Sequence, residues 1–220
     1  MTIEGWRVLG SEHSALYSPI GLRLVDDFTG RSPLGRLSAR LDRQVSPGVW
    51  AATTLEAILT PSNTFTWPGL GRASDPLSAP TRHYRARIAA EQYRAGYLQN
   101  ADGVEFDAPP WNDTNRPNPM TGGPLDLYLF PAPIYAFPTW VRVLRGFVQD
   151  ATGAPVVNVL VRQAAVERAL TDERGTFALP LRWATTGQTV DAIDVRTGRS
   201  GSHVLNLPAD LQSSLTITVV

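Results

Sequence analysis

The chain has 220 residues, 43% of them hydrophobic, enough for one large or two small domains with a buried core. Lys+Arg and Asp+Glu are each 20, so no net field draws the chain toward phosphate backbones or anionic lipid, and nucleic acid is excluded as an expected partner. Cysteine is absent, which removes disulfides, thiolate nucleophiles and cysteine-ligated zinc.

All twenty Lys+Arg residues are arginine, which has a bland cause in coding bias and a functional one at interfaces, where the planar guanidinium forms forked bonds and stacks on aromatics. Eighteen glycines and eighteen prolines favour many turns over long helices. The opening Met1-Thr2-Ile3-Glu4-Gly5-Trp6-Arg7 lacks a basic region leading into an apolar run, so no conventional signal peptide is expected. No stretch approaches the ~18 apolar residues of a membrane span. Synthesis in the cytosol without membrane insertion follows, with exit only inside a larger particle or by lysis.

In chain order, Trp6, Val8 and Leu9 sit near a strand before a polar turn at residues 11 to 14. Leu22 and Leu24 alternate, and Val25-Asp26-Asp27-Phe28-Thr29-Gly30 turns the chain through Pro33 toward Leu37, Ala39 and Leu41. Residues 49 to 59 fit a strand or a short helix, and their context favours strands. Residues 68 to 80 read as a long loop. Tyr84, Ala86 and Ile88 then share one strand face, and Tyr93 and Tyr97 close the layer. Asp102-Gly103 predicts a hairpin joining a strand at 97 to 98 with Val104-Glu105-Phe106.

The prolines between 109 and 124 forbid helix, Leu125, Leu127 and Leu129 make a short strand, and residues 131 to 138 read as extended, polyproline-like chain. Residues 106 to 140 are therefore expected to be a stiff, largely extended linker packed across a domain joint. Beyond it, Phe147-Val148 runs into the turn Asp150-Ala151-Thr152-Gly153, and Val157, Val159 and Val161 alternate. Thr171-Asp172-Glu173-Arg174-Gly175 reverses the chain before Phe177 and Leu179, and Val190, Ile193 and Val195 precede a turn at 196 to 201. Leu215, Ile217 and Val219 place a final strand with one apolar face, which as an edge would accept a partner strand.

The pattern Gly146-x-Val148-x-Asp150-x-x-Gly153-x-Pro155, followed by Thr171-Asp172-x-x-Gly175-x-Phe177-x-Leu179, resembles a carboxypeptidase regulatory-like domain over residues 141 to 220. The resemblance implies a transthyretin-like β-sandwich appended to something else, with no catalytic residues to carry over. An echo lies earlier. Val25-x-Asp27-x-Thr29-Gly30 matches Val148-x-Asp150-x-Thr152-Gly153, and residues 60 to 68 follow residues 171 to 180, with Asn63 in the left-handed place of Gly175. The expected fold is all-β: two Ig-like or transthyretin-like sandwiches at 1 to 105 and 141 to 220, joined by the proline-rich linker. The rival is one C-terminal sandwich behind an unrelated β-rich domain.

No catalytic set is legible. His13, His83 and His203 have no second ligand at metal spacing, and Gly198-Arg199-Ser200-Gly201 falls short of a nucleophile elbow. Asp102, Glu105 and Asp107 could supply oxygens to calcium, against the preferred reading of solvated acids on a hairpin. Trp67, Trp111, Tyr135 and Trp140, with Arg116, are the interface or binding candidates. Exposed indoles stack on sugar rings, whereas buried ones pin loops to a core. The function expected is a non-enzymatic structural or adaptor subunit, without cofactor, of a phage virion or phage-tail-like particle, contacting other protein subunits. The alternative is a carbohydrate- or surface-binding module.

Overall fold

The computed structural model describes residues 17–97, 102–115, 123–164 and 166–220. Their regular structure is strand apart from one 3-10 turn at Ala209–Leu211. The N-terminal half holds β1 (Gly21–Asp26), β2 (Leu37–Ser46), β3 (Val49–Ala52), β4 (Ile58–Leu59), β5 (Thr64–Thr66), β6 (Arg82–Ala90), β7 (Tyr93–Ala95), β8 (Val104–Ala108) and β9 (Leu125–Pro131). They form a nine-stranded sheet in the order β3-β2-β6-β7-β9-β1-β5-β4, with β8 also on β6. The C-terminal half holds β10 (Arg142–Asp150), β11 (Leu160–Gln163), β12 (Glu167–Leu170), β13 (Thr176–Leu181), β14 (Thr189–Ile193), β15 (Ser200–Val204) and β16 (Leu215–Val219). These build a three-stranded sheet, β13-β10-β16, and a four-stranded one, β12-β11-β14-β15.

The same pairings occur in both halves. β1 is antiparallel to β5 and parallel to β9, as β10 is antiparallel to β13 and parallel to β16. β2 lies antiparallel between β3 and β6, with β8 antiparallel to β6, as β11 lies between β12 and β14, with β15 antiparallel to β14. Register matches as well as order. Leu22 faces Phe65 and Leu125, and Gly146 faces Phe177 and Leu215. Counting along from there sets Asp26 against Asp150, so the sequence alignment of Asp27 with Asp150 is off by one because the first loop has an extra residue.

Local bonds follow the register. Leu24 N–H donates to Asn63 O at 2.9 Å and Val148 N–H to Gly175 O at 2.8 Å. Asn63 has φ +54° and Gly175 φ +72°, so the asparagine takes the left-handed place that glycine holds in the second half, as the sequence predicts. The halves differ in β4 and β7. β7 pairs with both β6 and β9 and so splices the first half into a single sheet.

Each half encloses its own apolar cluster, one built on Leu22, Leu41, Phe65, Tyr84 and Leu129 and one on Leu144, Val148, Phe177, Leu179 and Ile217. The C-terminal half is sealed at both corners. Ser200 and Val220 exchange backbone bonds at 3.1 Å each way, which joins the ends of β15 and β16. At the opposite corner the buried Glu167 carboxylate of β12 accepts the Arg182 backbone N–H just beyond β13.

Several expectations are corrected. Part of the expected linker is sheet: β9 lies between β7 and β1, because Leu127 and Leu129 are buried on its inner face while Asp126 pairs with Arg23 outside. β8 does pair in a sheet, but with β6, while the chain before the turn, at Tyr93–Ala95, pairs with β6 and β9; residue 98 lies outside the described residues. On β14 the inward residues are Val190 and Ala192, whereas Val195 is past the strand and exposed. β12 has no clear alternation and was not anticipated.

Candidate functional site

The loop after β1 carries a polar network that lies where the halves meet. Asp26 is 1% exposed, a burial that an ionised carboxylate tolerates only with full hydrogen bonding. It accepts the Phe28 N–H at 2.9 Å, the Thr29 hydroxyl at 2.8 Å and the Tyr135 hydroxyl at 2.9 Å. Tyr135 is held among Phe28, Tyr93 and Phe137, and burial, reinforced by Asp26, keeps its phenol protonated far above the usual range. Val141 and Tyr135 both belong to the first half's cluster, so the chain leading into β10 is packed down on that core.

Asp27 points the other way. Its carboxylate accepts a forked pair of bonds from Arg168 of β12, through Nε at 3.2 Å and through Nη2. Arg182 donates from Nη1 to the Phe28 carbonyl at 3.0 Å while its guanidinium lies 4.7 Å from the Phe28 ring centre. From the first half, Arg94 reaches back to Asn158 and Glu173, each at 2.8 Å. Between these arms, Phe130 of β9 packs with Leu160 and Leu170. The joint is thus an apolar centre clasped by arginines from both sides. Burial pushes the Asp27 carboxyl above its usual range, and the opposing pull of Arg168 does not fully reverse it.

A second polar group covers the outer face of β2, β6 and β8. Asp42, 2% exposed, receives Arg85 at 3.1 Å and Arg87 at 3.0 Å, and Trp50 lies over the Arg85 guanidinium at 4.5 Å. The calcium candidates fall in this group, but each already has a protein side chain as its partner. Asp102 lies 3.4 Å from Arg85, while Asp107 and Glu105 flank the His83 ring at 2.8 and 3.3 Å. Cross-strand register explains this, since His83 faces Asp107 and Arg85 faces Glu105. Among the described residues no group of three or more His, Cys, Asp or Glu is placed to hold a metal.

The aromatic candidates separate sharply. Trp67 and Trp111 are 2% and 1% exposed, so neither has a ring face to offer a sugar. Trp111 Nε1–H donates to Leu70 O at 2.8 Å, and Tyr17 packs edge-on against its ring, pinning the 68–80 loop. Tyr135 is buried in the joint, Trp140 is 70% exposed, and Arg116 lies outside the described residues. Trp183, which sequence reasoning passed over, is 68% exposed with the Arg182 guanidinium 4.5 Å from its ring centre. Arg94, Arg168 and Arg182 were also missed. Nothing local distinguishes them from other arginines; only the register of strands far apart in sequence brings them to the joint.

No family model and no curated protein matches the chain. Among solved structures it is similar to the Bacillus anthracis TIE protein, at 10% identity and a TM-score of 0.28, over 92% of this chain and 33% of that one. It is similar to a Streptococcal ancillary pilin at 13% identity and a TM-score of 0.26, over 91% of this chain and 67% of that one. A C-terminal fragment of the pilus adhesin SpaC from Lactobacillus rhamnosus GG gives 10% identity and a TM-score of 0.21, over 91% and 86%. The chain spans a third of the first of these, and at such TM-scores none of the matches carries weight for function. No described helix is long and apolar enough to cross a membrane, which says nothing of a β-barrel.

Proposed function

We propose that the chain is a non-catalytic structural or adaptor module: two related β-sandwiches, from a tandem duplication, clasped into one stiff body that works through protein–protein contacts. The observation that supports this reading is the joint. Its buried acids are committed to capping a loop and tying the halves together, with Asp26 bonded inside the first half and Asp27 bonded to the second. A group held this way carries load and orientation. The virion or phage-tail-like particle expected from the sequence draws no support from the comparisons, and the assembly is identified only by experiment. Sedimentation of extracts from the native source tests the reading. The chain should travel with a high-mass particle and cross-link to its subunits; recovery solely as a free monomer, or any turnover of a substrate at the joint, contradicts it.

One observation favours surface binding as a second reading. Trp140 precedes β10 and Trp183 follows β13, at the end of the ladder where Arg142 pairs with Leu181, so two exposed indoles share one end of the C-terminal half. Stacking on sugar rings would use these two, in place of Trp67 and Trp111. Glycan-array binding that is lost in Trp140→Ala or Trp183→Ala supports it, and a blank array retires it.

A further inference from the structure

The two halves repeat one set of pairings, yet one seam that the C-terminal half closes is left open in the other. In the second half, β12 meets β13 at the Glu167–Arg182 contact. In the first half, where β3 and β5 take the places of β12 and β13, a groove of about 640 Å³ lies between β2 and the β4–β5 ribbon, lined by Leu37, Ala39, Leu41, Leu55, Leu59 and Phe65. We infer that this groove is a docking site for an extended strand from another polypeptide, added to the free edge of β2. The inference deepens the adaptor reading and rests on it for the partner being protein.

Backbone direction carries the argument. In an antiparallel strand the N–H and C=O of one residue point to the same side, and the side alternates along the chain. Leu41 O accepts the Thr53 N–H at 2.9 Å, on the side away from β6. The β2–β6 register runs unbroken from Leu37 to Arg43, so Leu37 and Ala39 point the same way as Leu41. β3 pairs only from Asp42 onward, leaving the outward groups of Leu37 and Ala39 facing the groove with no backbone partner among the described residues. Unpaired donors and acceptors in a row are a template that an incoming strand satisfies, and few other ligands can match the spacing.

The side chains fit the same guest. Leu55 and Leu59 on the far wall are 47% and 39% exposed, an apolar rim that a monomer gains nothing by leaving in water. Arg40 on one wall and Glu56 on the other add a charge of each sign. The occupant we commit to is therefore a strand with apolar residues at alternate positions, one acidic and one basic flank, and free backbone N–H groups.

The test is amide hydrogen exchange on the full chain with a capped peptide of about seven residues, alternating valine and threonine between a terminal aspartate and a terminal arginine. A control peptide carries proline at alternate positions and cannot donate to the ladder. The Leu37 and Ala39 amides should exchange freely in the protein alone and slow at least tenfold with the first peptide but not the second. Ala39→Pro removes an outward N–H without touching the β6 ladder, and Leu59→Glu charges the opposite rim; each should abolish protection at Leu37 while leaving the thermal transition in place. Protection already present in the free chain, protection that rises with protein concentration alone, or none at millimolar peptide would each overturn the inference. If the groove fails while the halves remain locked, the rigid-adaptor reading stands. Loose halves with intact strand capture would have the opposite meaning.

Discussion

Arg168 and Asp27, 141 residues apart, meet as a forked ion pair that ties the second half of the chain to the first loop of the other. The Asp27 carboxylate is 3% exposed and Arg168 is 33% exposed. Burial raises the Asp27 pKa while Arg168 pulls it down, so desolvation of the carboxylate opposes the attraction within the pair. Arg168→Ala strands the carboxylate and should cost roughly 2 kcal/mol, less than for a fully buried pair since part of Arg168 is in water. Replacing both partners by apolar residues, Asp27→Leu with Arg168→Met, should be near neutral in chemical denaturation. A double variant as unstable as Arg168→Ala would show that the pair itself stabilises the fold.

The repeated pairings make a prediction at Asn63 and Gly175. A Cβ on Gly175 would lie 2.5 Å from Val148 O, and its φ is +72°. Gly175→Ala should therefore cost about 1–3 kcal/mol, whereas Asn63→Gly, at φ +54°, should change stability by less than about 1 kcal/mol. Equal sensitivity at both positions would break the equivalence of the two turns.

Trp111 gives a sharp contrast between packing and binding. Its ring is buried and its N–H is bonded to Leu70 O, so Trp111→Ala should lose about 3–5 kcal/mol through the cavity it leaves. Trp183→Ala should leave thermal stability within about 0.5 kcal/mol, as an exposed position does. A folded Trp111→Ala variant with unchanged melting temperature would contradict the burial.

His83 sets the pH dependence of the outer face. Its pKa is raised, chiefly by the hydrogen bond it donates to Asp107; burial opposes this as the next largest effect, and Glu105 adds a weaker raising one. A raised folded-state pKa means that the stabilisation is complete below the unfolded value of 6.5 and is lost as pH rises through the folded value. Urea unfolding should therefore show a larger gap between the parent chain and His83→Gln at pH 5.5 than at pH 8.5. The same gap at both pH values would sink this account.

What the sequence made legible was local. Alternation placed Leu22, Leu24, Tyr84, Ala86 and Ile88 on inner faces, and turn chemistry found the Asp150 and Gly175 reversals together with Asn63. The partner of β9 was not legible, because prolines and glycines on either side of Leu125–Pro131 give the signature of a linker whether or not the strand between them pairs. Pairing with β1 and β7 is a long-range fact that periodicity does not encode. The same holds for the joint, where Arg94, Arg168 and Arg182 gain meaning only from strands folded onto each other. Conversely, the tryptophans at 67 and 111 looked like loop residues because their neighbours are polar or proline, yet the loops bend back and bury them.

The stiffness of the joint is the central claim, and the absence of cysteine makes it directly measurable. Spin labels at Ser46→Cys in the first half and Ser213→Cys in the second, both exposed positions, report the distance between halves by pulsed electron resonance. A single narrow distance distribution is predicted, broadening when Arg168→Ala and Arg182→Ala are added together. A broad or multiple distribution in the chain with its arginines intact would contradict the account.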